Sequence, residues 1–300
     1  MRKQASKKGY GLWILGAVLL LLSLGCYVPV SLGLAKGYLL AAGQVAGLAA
    51  GAVYLLFFKK TEELLPEKEQ KKKERGKRAA DKKETSFLSS LKTTLSGAGY
   101  ICCWVCFFLL LSQPLQNILA GFGLASLNEC AHHESLWEMI LYVLILPPVC
   151  LEVLHRLILL PLIEARFEKR WQVLLVSALF YTFSAPQIGN VLARFALGLL
   201  LSLLFLRTRS FVASFCGALV GQFVLFLAGY MQILGFAGAE AYTFLQCLGM
   251  GMTFGAPGAV ILYFNEKIAR KGRIRVAELL VLFGCAAFAF ALGMALWLDL

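Results

Sequence analysis

The chain has only three histidines in 300 residues, and two of them, His132 and His133, are neighbours in one short polar stretch. A hydrolytic metal centre usually takes three nitrogen or oxygen ligands and an acid or base beside them, so imidazole is scarce for that purpose. No H-E-x-x-H occurs, and neither does a P-loop or a dinucleotide-binding glycine fingerprint. Charged residues make up 15% of the sequence, with 17 acidic against 29 basic side chains. The formal net charge of +12 comes without anything resembling a nucleic-acid module, and nucleic-acid partners are not expected.

What the chain has in excess is apolar length. Hydrophobic residues make up 59%, and apolar runs near 20 residues recur. This composition defines an all-α polytopic membrane protein, since a barrel would show alternating ten-residue segments. About nine transmembrane helices are expected, at 11–32, 38–58, 98–120, 136–163, 172–186, 190–206, 211–234, 241–264 and 276–298, the fifth being short and tilted or re-entrant. Of the 29 Lys and Arg, 26 fall in five segments, before residue 11 and at 59–92, 164–170, 207–209 and 265–275. All five lie on one side of a nine-span arrangement, and basic loops stay in the cytoplasm. The expectation is an integral plasma membrane protein with a cytoplasmic N-terminus and an outside C-terminus.

Three domains are expected: an N-terminal two-helix hairpin at 1–58, a basic cytoplasmic linker at 59–97 and a seven-helix core at 98–300. The linker pairs Glu67 with Lys71, Glu69 with Lys73 and Glu74 with Arg78 at helical spacing, while Pro66 and Gly76 interrupt it. It is read as a solvated arm that can lie on anionic lipid, at about 1 kcal/mol per basic residue near the surface. The first span, with Leu22 to Cys26 faintly like a lipoprotein cleavage site, is read as an uncleaved anchor. Eight of the nine cysteines fall in predicted spans and Cys130 in a loop, so cysteine is read as a small packing residue, Cys103 and Cys106 included.

The motif region runs from Pro148 to Gln222. It opens with P-V-C-L-E-V-L-H-R, Pro148 to Arg156, continues with F-Y-T-F-S, Phe180 to Ser184, and ends on a helix carrying Ala218 and Gln222. This order resembles the CPBP family of CAAX-protease and bacteriocin-processing membrane enzymes. The family pattern is Glu-Glu-x-x-x-Arg on one helix, Phe-x-x-x-His on the next and His-x-x-x-Asn or Asp on a later one. Glu152, Arg156 and Phe180 match it. Leu151 stands at the first glutamate, Ser184 at the first histidine, Ala218 at the second histidine and Gln222 at the asparagine. The resemblance implies a CPBP-like core bundle from which most ligand and base positions are missing, so no catalytic residue, metal or other cofactor is assigned.

Glu152 and Arg156 lie at i,i+4 spacing and are read as an ion pair that pins the fourth span, just after a kink expected at Pro147 and Pro148. His155 is read as a packing residue; with Glu152 it offers at most two ligands, and it is the only intramembrane candidate for a base to Ser184. Ser184 and Gln222 are expected to bond across helices, and Arg194 to snorkel to the outer interface. The stretch Cys130 to Glu134 holds ligand-type residues without a second group at a standard spacing. The resemblance thus implies a pseudo-protease, non-catalytic, whose intramembrane cavity binds a partner helix, a peptide or a lipid-like chain. Bacteriocin immunity, peptide maturation and control of envelope enzymes are the settings it suggests, with membrane lipids and a membrane-protein or peptide as partners in a bacterial membrane. The alternatives are an active CPBP-type endopeptidase with displaced ligands and a transporter or channel component.

Overall fold

A computed structural model describes residues 2–32, 34–62, 87–121, 128–184, 190–235, 242–269 and 276–298. Among them the chain forms nine long helices and no strand: α1 (Arg2–Ser31), α2 (Tyr38–Glu62), α3 (Phe87–Gly121), α4 (Leu136–Arg166), α5 (Arg170–Ser184), α6 (Val191–Thr208), α7 (Phe211–Ile233), α8 (Phe244–Ala269) and α9 (Val276–Leu298). A 3₁₀ turn, Glu129–His132, precedes α4. Eight of the nine are long and apolar enough to cross a membrane. The exception is α5, whose 15 residues would rise only about 23 Å at 1.5 Å each, short of a hydrocarbon core of about 30 Å. The fold is that of an all-helical polytopic membrane protein. Most of the segment expected as the 59–97 linker, with its three Glu–Lys/Arg pairs, lies outside the described residues.

The irregular helix is α4, and its prolines explain why. Proline brings no N–H and clashes with the carbonyl four residues back, and a wider π turn upstream moves that carbonyl away. A π stretch at Ile140–Ile145 runs up to Pro147 and Pro148, and a second at Val153–Leu159 runs up to Pro161. Each closes on an i+5 backbone bond, Leu146 N–H to Leu141 O and Leu160 N–H to His155 O. The second stretch carries His155 and Arg156, so the widened turns sit at the motif.

Without water to expel, membrane helices associate by close packing over small residues. The α1–α2 hairpin docks on α4 and α5 in this way. A Cβ on Gly16 would lie 2.7 Å from the Phe180 ring, and one on Gly51 would overlap a Leu154 methyl. One core joins Leu12, Leu15 and Leu19 of α1 to Leu154, Ile158 and Leu159 of α4 and Phe180 of α5. At the far end of the chain α8 and α9 cross with backbone against backbone. A Cβ on Gly249 would lie 2.6 Å from the Gly293 carbonyl oxygen, so glycine is required there.

The ends of the bundle are tied by ion pairs. At the end that carries the basic segments, Arg209 caps α6 in the left-handed region (φ 51°), and its guanidinium donates a two-pronged pair to Glu164 at 2.7 and 2.6 Å. At the opposite end Lys36 reaches Glu134 at 3.3 Å, and His133 stacks on Tyr142 with ring centroids 5.6 Å apart. Burial holds the His133 imidazole below its usual pKa, against the opposing pull of Glu138 and Glu129. The Cys130 thiol is buried and pushed up to about 12, first by burial and then by Glu129. With native cysteines replaced, a cysteine at position 71 should therefore react with impermeant maleimide from the cytoplasmic side only, and one at position 132 from the other side only. Labelling of both from one side contradicts the expected orientation.

Candidate functional site

The motif side chains gather into three separate hydrogen-bonded groups. The first surrounds the charges. Glu152 and Arg156 are both fully buried, and Arg156 Nε donates to Glu152 Oε2 at 3.0 Å. Arg156 Nη1 donates to Ser202 Oγ on α6 at 2.9 Å, and Ser214 on α7 donates to Glu152 Oε2. Ser202 gives its own proton to the Gly198 carbonyl, so the 2.8 Å contact with Ser177 has Ser177 as donor. An ion pair removed from water holds only when its remaining lone pairs and protons are met, and here α5, α6 and α7 all contribute hydroxyls.

The second group is His155 with Ser184. His155 Nε2 lies 3.1 Å from Ser184 Oγ, and the imidazole leans on Tyr181 with centroids 5.0 Å apart. Ser184 already donates its proton to the Phe180 carbonyl at 2.9 Å. The contact is satisfied with the proton on Nε2, which leaves Nδ1 as a buried acceptor with no partner among the described residues. In this tautomer His155 donates to Ser184 and cannot act as its base.

The third group begins at a carbonyl. Val143 O would accept an α bond from residue 147 or a π bond from residue 148, and both are prolines. Gln222 supplies the missing donor, its Nε2 reaching Val143 O at 2.7 Å. Gln222 Oε1 in turn accepts from Arg194 Nη1 at 2.8 Å, and Glu129 stands 3.8 Å from Arg194 Nη2. The expectation that Arg194 snorkels to the interface is therefore wrong. Arg194 is fully buried, because Gln222 and Glu129 meet its charge inside the bundle.

Two of the positions that depart from the pattern share one apolar cluster. Leu151 and Ala218 belong to one buried apolar cluster with Tyr100, Ile101, Leu197 and Leu201. Phe180 is buried under Gly16 and lies 5.9 Å from the Trp13 ring. Ser184 is tied to α1 through its carbonyl, which accepts from Ser23 Oγ at 3.0 Å. Sequence reasoning placed Glu152 beside Arg156 and a hydrogen bond on Ser184 and on Gln222. It missed Ser202 and Ser214 as partners of the pair, for which spacing on other helices gives no signal. It also missed Val143, for which the paired prolines were a usable one.

The fold and these groups describe a membrane-embedded helical bundle built around a buried glutamate–arginine pair. Residues 133–217, a little over a quarter of the chain, are similar to the family model described as Rce1-like, Type II CAAX prenyl endopeptidase Rce1-like. Leu151, Glu152, Arg156, Phe180 and Ser184 fall inside the matched residues, and Ala218 and Gln222 lie just beyond their end. No curated protein and no solved structure matches the chain.

The metal site that the resemblance implies does not fit the side chains present. Ser184 and Ala218 offer no imidazole, the Glu152 carboxylate is taken up by Arg156 and Ser214, and His155 Nε2 by Ser184. Among the described residues no three His, Cys, Asp or Glu side chains come together.

Proposed function

We propose that this CPBP-type membrane protein does not hydrolyse peptides and instead uses its intramembrane surfaces to bind a partner helix, a peptide or a lipid-like chain. One observation carries the reading. Leu151 and Ala218 stand where the motif order asks for an acid and an imidazole, and they pack against the same apolar cluster. Water activation and proton transfer need groups that change protonation, and neither side chain can. The Glu152–Arg156 pair supports the same reading, since its partners are all internal and it joins α4 to α6 and α7. Bacteriocin immunity, peptide maturation and the control of envelope enzymes in a bacterial plasma membrane are settings by analogy of fold. Elemental analysis of the purified protein tests the reading. Transition metal well below one ion per chain is expected, and a stoichiometric ion that survives dialysis contradicts it.

A further inference from the structure

Titratable side chains crowd the end of the bundle opposite the basic segments, where the turn between α1 and α2 meets the turn before α4. The two turns touch at a glycine. A Cβ on Gly37 would lie 2.8 Å from His133 Nε2 and 3.0 Å from the His132 carbonyl oxygen, so the imidazole edge is pressed onto the backbone of the hairpin tip. One face of the same ring stacks on Tyr142 of α4, within 14° of parallel. Beside this contact Lys36 donates to Glu134 at 3.3 Å, but both side chains are exposed and such a pair holds little on its own. His133 is therefore the main latch between hairpin tip and core.

The charge on His133 decides how well the latch holds. Glu138 and Glu129 favour an imidazolium, as does the Tyr142 ring face, while burial and His132 oppose it. Lys36, next to Gly37 on the hairpin, brings a further positive charge. Burial is the largest of these influences and holds the ring below its ordinary pKa. A tip that swings out returns His133 to water, where an imidazole titrates at about 6.5. The open form thus takes up the proton more readily. The latch is at full strength above about pH 6.5 and weakens as pH falls below it.

Behind the latch, the hairpin covers the motif helices. Leu12, Leu15 and Leu19 share a core with Leu154 and Phe180, and Ser23 donates to the Ser184 carbonyl. We propose that protonation of His133 unlatches the tip of the α1–α2 hairpin, so that acid on this side of the membrane loosens the cover over α4 and α5. The switch holds whatever the covered helices bind.

The chain has only three histidines, so isotope-labelled imidazoles can be followed one by one in the full-length protein in nanodiscs, with His133→Gln to assign the signal. In the wild type His133 should titrate below about pH 6.5. Gly37→Ala, whose methyl drives ring and tip apart, should return the midpoint to that ordinary value. Equal midpoints in the two proteins overturn the coupling. Spin labels at positions 34 and 137, both exposed and on either side of the latch, read the opening itself once native cysteines are replaced. Between about pH 7.5 and about pH 5 the ratio of open to closed forms should rise, by at most about thirtyfold for one proton. His133→Gln should remove the rise, and Gly37→Ala should show the longer distance already at neutral pH. A distance that acid leaves unchanged, or a rise that persists in His133→Gln, overturns the proposal. So does a rise centred at about pH 4.3, which belongs to carboxylates.

Discussion

Arg156→Leu should cost about 3–5 kcal/mol of stability in nanodiscs, because it leaves the Glu152 carboxylate charged and unpaired in a site with no exposure to solvent. The same change removes a donor from Ser202 and breaks the tie between α4 and α6. Glu152→Gln in the Arg156→Leu background removes the stranded charge, and the double variant should recover a large part of the loss. The two single losses must then sum to more than the double loss. Additive losses would mean that the pair does not interact, and the 3.0 Å contact would have no energetic content.

Gln222→Leu should be the second most damaging single change, at about 3 kcal/mol or more. Two buried groups lose their partner at once: the Val143 carbonyl, which proline at both 147 and 148 deprives of any backbone donor, and Arg194 Nη1. Each unsatisfied buried group costs about 1–3 kcal/mol, and a charged one more. The account also predicts a rescue. Pro147→Ala in the Gln222→Leu background restores an N–H four residues after Val143, so part of the loss should return although one of the helix's prolines is gone. A Gln222→Leu loss within about 0.5 kcal/mol of zero, or no rescue, would remove Gln222 from the role of carbonyl partner.

Much of this architecture was legible because a membrane leaves few options. A run of 20 apolar residues must bond its backbone internally, so eight of the nine spans expected from hydropathy are helices long and apolar enough to cross a membrane, and α9 at 276–298 matches the expected limits. The short α5 was visible as a short run. The Glu152–Arg156 pair was legible because both partners lie on one helix at a fixed spacing. Arg194 was not. Its place near a helix end suggested snorkelling, but whether an arginine turns outward or inward depends on what faces it. Gln222 comes from the next helix, α7, and Glu129 from a turn before α4. Ser202 and Ser214 were illegible for the same reason, since a serine in a Leu-rich helix looks like packing until a guanidinium or carboxylate is placed beside it.

The central claim, a CPBP-type fold without metal-dependent hydrolysis, is tested most directly by cleavage. Purified protein would be incubated with prenylated and leader-type peptides with and without chelator, and the products counted by mass spectrometry. The account predicts no product above background and no change on chelation or on Glu152→Ala, a variant whose folding is checked separately because it strands Arg156. Cleavage by the wild-type protein that chelator abolishes and added zinc or cobalt restores would contradict it.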